Sequence, residues 1–308
     1  MAEKQAGITA LVTAYARAYH ATHDSPKIFD DFLADQYYTA QEHIDFDRYL
    51  AETLKLIDPA LASSQPDQDS ALALVMQIQN GPVTLSRSRY AEDSLEDVLR
   101  QDSRFSPRQY VLLGAGFDTF AFRRSDLLER LQVFEVDHPV TQELKRQRIG
   151  AANWKIPGQL HFVPVDFTAE NLTAALKRSS YHPDQPSFFS WLGVSYYLTS
   201  QVVFAALQDL AGIAAPGSTI VFDYLDTDAF VPEKAGKRVQ FMLWIADQVG
   251  EPMKSGFDPH HLADELDVLG WKLQEDLAPD EINRRYFQGR SDLYRAFEHL
   301  HFARAVIG

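Results

Sequence analysis

The segment YVLLGAGFDTFAF, residues 110–122, constrains the fold of this chain more than any other. Tyr110–Leu113 is a short apolar run with the composition of a strand buried on both faces. It enters Gly114-Ala115-Gly116, where missing side chains permit backbone directions closed to other residues and let the main chain approach a bound molecule closely. A helix is expected over Thr119–Leu131, and then a second apolar strand, Val133–Val136, followed by Asp137. Strand, glycine turn, helix and acid-tipped strand make a crossover unit. In an open parallel sheet that arrangement sets the turn at the carboxyl end of the strands, where ligands bind.

The alternation continues to residue 222. Candidate strands His161–Val165, Phe188–Trp191 and Thr219–Phe222 are separated by candidate helices Pro139–Asn153, Ala169–Arg178 and Ser200–Ile213. Helices of that length between apolar strands imply a parallel sheet covered on both faces. A helix over Asp258–Leu269, then Trp271–Gln274 and the alternating His299–Ile307, suit an antiparallel pair closing one sheet edge.

The first third reads as helices. Leu11, Val12, Tyr15 and Tyr19 recur at helical spacing in Ile8–His20. Ser25-Pro26 is a start signal for a helix burying Ile28, Phe29, Phe32 and Leu33. Further helices are expected at Tyr49–Ile57, at Ala71–Asn80 (capped by Asp69 or Ser70 and stopped at Gly81-Pro82), and over much of Leu85–Arg100. The expected architecture is α/β: a seven-stranded, mostly parallel, Rossmann-like sheet whose last strand is antiparallel. A helical cap, residues 1–105, precedes the core, residues 106–308, which carries a lid insertion at about 226–257. With no internal repeat or long linker, cap and core are expected to fold as one unit.

Composition narrows the function. A formal net charge of −14 argues against a nucleic-acid partner, since phosphate binding normally needs a basic face. No apolar run approaches membrane-spanning length, and the first twenty residues lack the pattern of a secretion signal. Cysteine is absent, which removes disulfides, thiolate metal sites and cysteine nucleophiles, and a cytoplasmic location is expected.

Thr119 stands where a dinucleotide fingerprint would carry its third glycine, so a nicotinamide-dependent dehydrogenase is the weaker reading. An adenosyl amino acid has no pyrophosphate to seat on the helix N-terminus, and it tolerates Phe117, Asp118 and Thr119 there. Asp137 lies about twenty residues after the loop, where an acid accepts hydrogen bonds from ribose hydroxyls. Asp166 ends the next strand in FVPVDF and is suited to an adenine amino group, with Phe167 packing on the ring. Each acid alone could be a turn former or helix cap. Loop, acid and acid at three successive strand ends point instead to S-adenosyl-L-methionine as cofactor and S-adenosyl-L-homocysteine as product.

LLGAGFDTFAFR, VFEVDHP, VPVDF and SWLGVSYYL, in that order, resemble the motifs of the leucine carboxyl methyltransferase family and its bacterial relatives. TAYARAYH, SRSRYAEDSL and the ending EHLHFARAVI extend the resemblance over nearly the whole chain. It implies a class I methyltransferase fold with a helical N-terminal extension. It also implies that Arg87, or Arg89 in the same SRSRY stretch, binds the carboxylate of the cofactor's methionine part, a pairing that a guanidinium suits. By the same resemblance Gly114 and Gly116 carry the backbone approach, Asp137 the ribose, and Asp166 with Phe167 the adenine. The family's fourth-strand motif reads Trp-Glu-Gly or a close variant, and its acid contacts the cofactor. Here the motif is Trp191-Leu192-Gly193, followed by the aromatic pair Tyr196 and Tyr197.

Acceptors in the family are usually carboxylates of small molecules or peptides, which give methyl esters. A carboxylate is ionised near neutral pH and needs no general base. A hydroxyl acceptor would want one, and His138, His260 or His261 are the candidates, although each also sits where a helix starts. No metal motif is present. The catalytic residues are open, with Tyr197, Tyr196 and Arg17 as positioning candidates. The acceptor pocket is expected between the N-terminal helices and the stretch Tyr224–Phe257, where Phe230, Phe241, Met242 and Trp244 accompany Lys234, Lys237 and Arg238. The aromatics at 241 and 244 are equally consistent with the buried face of an amphipathic helix. Leu192 leaves open a regulatory protein that binds the adenosyl ligand with impaired catalysis. The oligomeric state is not legible.

Overall fold

The computed structural model describes residues 8–101, 106–167 and 169–308. The outer limit of the expected cap at 105, and the N-terminal residues read for a secretion signal up to residue 7, lie outside the described residues.

Seven strands form one sheet: β1 (Gln109–Leu113), β2 (Gln132–Asp137), β3 (Leu160–Pro164), β4 (Ser187–Trp191), β5 (Thr219–Leu225), β6 (Trp271–Leu277) and β7 (Leu300–Ile307). Their spatial order is β3-β2-β1-β4-β5-β7-β6. The pairs among β1 to β5 are parallel, and β7 runs antiparallel between β5 and β6. The order reverses beside β1, so a crevice opens where β1 and β4 diverge toward their next elements.

The principal helices are α1 (Ile8–His23), α2 (Ala40–Ile57), α3 (Gln68–Val75), α4 (Gly81–Arg100), α5 (Pro139–Ala151), α6 (Leu172–Arg178), α7 (Ser200–Ala211), α8 (Lys237–Gln248) and α9 (Leu262–Val268). Strand alternation divides the core in two. Tyr110, Leu112, Phe188 and Val221 face the layer of α4 with its Tyr90, Leu95 and Leu99. Val111, Leu113, Phe189 and Phe222 face the layer of α7 and α9 with Val203, Leu207 and Leu266. A third apolar cluster joins α1, α2 and α3 to the glycine loop through Phe117. The N-terminal helices are therefore packed onto the ligand end of the sheet.

Four local expectations are corrected. No helix starts at Ser25-Pro26; residues 24–33 form a strap of bends and turns. Its backbone is satisfied by α1, with Ile28 N–H donating to His20 Nε2 at 2.7 Å. Ile28 and Phe29 are buried as expected, but Phe32 is 58 % exposed. Gly81-Pro82 does not stop a helix. A single π turn, Met76–Asn80, joins α3 to α4. Pro82 cannot donate to the carbonyl four residues back, and that oxygen, on Ile78, instead accepts from Arg238 Nη1 at 3.3 Å. The cap of α3 is Asp67, whose side chain accepts from Ser70 N–H, rather than Asp69 or Ser70. Finally, Thr119–Leu131 is helical only over Phe120–Arg123. The chain unwinds there, and Arg123 and Arg124 both reach acids of α4: Arg123 bonds Glu92, and Arg124 Nη1 donates to Glu96 at 2.8 Å.

Candidate active site

A cavity of about 610 Å3 opens at the carboxyl ends of β1, β2 and β4, under α1, α2 and the lid. Its floor is the glycine loop. Gly114 and Gly116 have φ of +73° and +50°, in the left-handed region that disfavours side chains. A Cβ on Gly114 would stand 2.4 Å from Val194 Cγ2, so this turn and the turn after β4 interlock only with glycine there. The N–H groups of Gly114 and Ala115 both donate to Val136 O, at 2.8 and 3.1 Å, and tie the loop to β2.

Asp137 closes this loop from the neighbouring strand. Its carboxylate accepts from the N–H of Gly116 and, at 2.6 Å, from the N–H of His138. Burial raises its pKa, while the two backbone donors work against that rise. A carboxylate held in this way keeps further lone pairs for hydroxyl donors.

The loop is also supported from α1. Arg17 Nη2 donates to Phe117 O at 2.8 Å, and Arg17 Nε pairs with Asp31 Oδ2 at 2.8 Å. Asp31 in turn accepts from Thr119 Oγ1 at 2.5 Å. The strap at residues 24–33 delivers this buried acid, and Arg17 acts through it on the loop while also lining the cavity.

On the opposite wall, Arg87 of α4 lies across the turn after β4. Its Nη1 donates to Tyr196 Oη at 2.9 Å and to Asp223 Oδ2 at 3.2 Å. The guanidinium rests on the bare α-carbon of Gly193, where a Cβ would come within 2.6 Å of it. Among the described residues its Nε and Nη2 carry no hydrogen bond, so a parallel pair of donors remains for a carboxylate. Arg89 is on the solvated face of α4, 50 % exposed at its side chain and paired with Asp93 at 2.7 Å. Of these two, Arg87 alone lines the cavity.

Arg17, Arg87, Gly114, Gly116, Asp137, Leu192, Tyr196 and Tyr197 therefore meet in one cavity. Asp166 and Phe167 are not in its lining. The backbone carbonyl of Asp166 accepts from Ala169 and Glu170 at 3.0 and 2.9 Å, and Phe167 packs 6.2 Å from the Trp191 ring. His138 caps α5, accepting from Val140 N–H, and His260 and His261 sit at the exposed start of α9. The lid divides as well. Phe241, Met242 and Ile245 of α8 face the cavity, whereas Trp244 is 45 % exposed. The three basic residues expected of the lid do not reach the cavity: Lys234 pairs with Asp228 at 2.8 Å, Lys237 is exposed, and Arg238 pairs with Glu298 at 3.0 Å. Lys254 at the rim is the lid's cation in the lining, and Glu251 beside it accepts from Thr9 Oγ1 at 2.5 Å, joining lid to α1. Asp223 and Lys254 were missed from the sequence, and only Asp223 left a signal, an acid inside the otherwise apolar run TIVFDYL.

A glycine turn at the end of β1, an acid at the end of β2 and a free pair of guanidinium donors, on a sheet ordered 3-2-1-4-5-7-6, suit a class I methyltransferase. The donor set fits S-adenosyl-L-methionine: an acid for ribose, a guanidinium for the amino-acid carboxylate, and bare backbone between them. The chain belongs to the leucine carboxyl methyltransferase family, whose model matches residues 10–211. YktD of Bacillus subtilis (strain 168), named as an S-adenosyl-L-methionine-dependent methyltransferase, is 40 % identical over 314 residues, covering 99 % of each chain. A similarly named protein of Mycolicibacterium paratuberculosis is 28 % identical over 71 % of this chain and 66 % of its own. The crystal structure of a DUF574 family protein from Streptomyces avermitilis shares the fold, with a TM-score of 0.58 at 13 % identity over 96 % of this chain and 97 % of that one. The protein is an S-adenosyl-L-methionine-dependent methyltransferase.

Proposed function

We propose that the methyl acceptor is a carboxylate of an apolar small molecule or peptide end, and that the product is a methyl ester. The character of the acceptor side of the cavity supports this. Leu50 and Ile57 of α2 face Phe241, Met242 and Ile245 of α8, with Met253 beside them. That wall suits an apolar body, and the cationic Lys254 stands at the rim. Burial pushes the Tyr196 and Tyr197 phenols above their ordinary pKa, so both stay protonated as hydrogen-bond donors and neither is a base. An acceptor already ionised near neutral pH matches these groups.

Bound S-adenosyl-L-methionine supplies a methyl group on a sulfonium, open to in-line attack. The residues of this chain have the remaining tasks of holding the two reactants in line and excluding water. Arg87 takes the methionine carboxylate, Asp137 the ribose, and Gly114 and Gly116 admit the ligand to the backbone. Asp166 and Phe167 are proposed for the adenine end on their positions at the tip of β3. Tyr196 and Tyr197 position the acceptor from the turn after β4, and Arg17 fixes the loop opposite. Cap, core and lid act as one folding unit, since the cavity takes its walls from all three. Small acids of the cytoplasm fit the acidic, cysteine-free chain better than nucleic acid does. No helix among the described residues is long and apolar enough to cross a membrane.

The test is mass spectrometry of a panel of apolar acids and matched alcohols after incubation with the protein and methyl-labelled cofactor. The expected result is a labelled methyl on the acids that alkali removes. An alkali-stable methyl would establish a hydroxyl or amine acceptor instead. Cofactor binding without transfer to any acceptor would favour a regulatory role.

A further inference from the structure

Asp223, the buried acid of β5 that pairs with Arg87, has been given no task so far. β5 alternates: Ile220, Phe222 and Tyr224 enter the layer under α7 and α9, while Val221 and Leu225 enter the layer under α4. Asp223 falls on the second face at 0 % exposure, in a place otherwise suited to an apolar side chain. A carboxylate is costly there unless it is paired and hydrogen-bonded. Its Oδ1 accepts from Gly193 N–H at 2.6 Å, and its Oδ2 accepts from Arg87 Nη1 at 3.2 Å. Its backbone carbonyl accepts from Ser195 Oγ at 2.7 Å. One residue thus ties β5 to α4 and to both sides of the turn after β4. With leucine at 192, Asp223 is the one carboxylate within bonding reach of Arg87 among the described residues.

We propose that Asp223 is the positioning residue for Arg87: it fixes one guanidinium nitrogen against the Gly193 turn and so presents Nε and Nη2 together to the carboxylate of the cofactor's methionine part. This rests on the reading of the cavity as the cofactor site with Arg87 as the carboxylate ligand. A guanidinium held by an acid behind it loses little freedom when the second anion arrives, and its planar fork already has the orientation that two parallel hydrogen bonds require. Tyr196 donates no charge to this arrangement and only shares Nη1.

The test is calorimetric, on the full chain, with two probes that share the adenosyl half. S-adenosyl-L-homocysteine carries the amino-acid carboxylate, and 5′-methylthioadenosine lacks it. Asp223→Asn keeps an acceptor for Gly193 but removes the charge. It is expected to weaken adenosylhomocysteine at least tenfold and methylthioadenosine less than twofold. Tyr196→Phe, which leaves Asp223 in place, is expected to weaken adenosylhomocysteine less than threefold. An unchanged ratio of the two affinities in Asp223→Asn, whether both hold or both fall together, overturns the proposal. So does a Tyr196→Phe loss as large as that of Arg87→Ala, and this comparison decides alone if Asp223→Asn does not fold. Failure of the wild-type chain to bind adenosylhomocysteine overturns the cofactor site itself, which is a separate outcome.

Discussion

Arg87 and Arg89 are two residues apart on one helix, and helix geometry points them to different surroundings. One lies in the cavity against Asp223 and Tyr196; the other forms an exposed pair with Asp93. Arg87→Ala is expected to weaken adenosylhomocysteine by about 1.5–3 kcal/mol, the range for hydrogen bonds to charged groups. Arg89→Ala should stay within about 0.5 kcal/mol of wild type, as surface substitutions do. Calorimetry of the two variants checks the assignment, and equal losses would refute it. The sequence offered both residues because SRSRY shows no helical phase by itself. The phase comes from the buried positions of α4 around it, Val83, Tyr90, Ala91 and Leu95, with which Arg87 is in step and Arg89 is not. Asp137 was readable because an acid breaks an apolar strand there; alone it would pass for a turn former or helix cap, and the glycine loop about twenty residues before it singled it out. Asp223 was readable in principle by the same logic, as a break in the apolar alternation of β5.

At the level of elements, the two turns that make the floor of the cavity depend on each other. Gly114→Ala would place a Cβ against Val194 in a backbone conformation that costs an L-residue roughly 1–2 kcal/mol, before the cost of overpacking. Thermal unfolding should show a lowered Tm. Adding Val194→Ala should recover the packing part and leave the conformational part, and no recovery at all would show that the interlock is unimportant. The parallel strands were legible because burial on both faces leaves a continuous apolar signature. The helix expected over Thr119–Leu131 was not, because its charged residues Arg123 and Arg124 turn inward to Glu92 and Glu96, a tertiary reward that outweighs local spacing. The strap at residues 24–33 misled for a similar reason: Asp31 is wanted at Arg17 and Thr119, and a helix from Pro26 would leave the backbone bond to His20 unmade.

Across the whole molecule, the sheet is closed by the antiparallel seam of β5, β7 and β6, and that seam carries a titrating group. Burial alone would lower the pKa of His301. Its flanking acids, Asp226 and Asp276, each 3.6 Å away, outweigh burial and push it up to about 9. A group raised in the folded state contributes stability that is complete below its unfolded pKa and lost as pH rises through the folded one. Its contribution, roughly 3 kcal/mol by linkage, should therefore be full below about pH 6.5 and gone above about 9. His301→Gln should melt well below wild type at pH 6, and the gap should close above pH 9; a constant gap would mean that packing on Tyr224 and not charge is what His301 provides. The class of the sheet was legible, mostly parallel with an antiparallel pair at one edge, because strands separated by helices of crossover length leave few alternatives. The acceptor was not, since the lid's character depends on which face of α8 turns inward. The claim that organises everything else is that the cavity at the ends of β1, β2 and β4 is the adenosyl site. Calorimetry with adenosylhomocysteine on the wild-type chain and on Asp137→Ala tests it most directly: the account expects one site, weakened by about 1–3 kcal/mol when that carboxylate is removed, and unchanged affinity in the variant would contradict it.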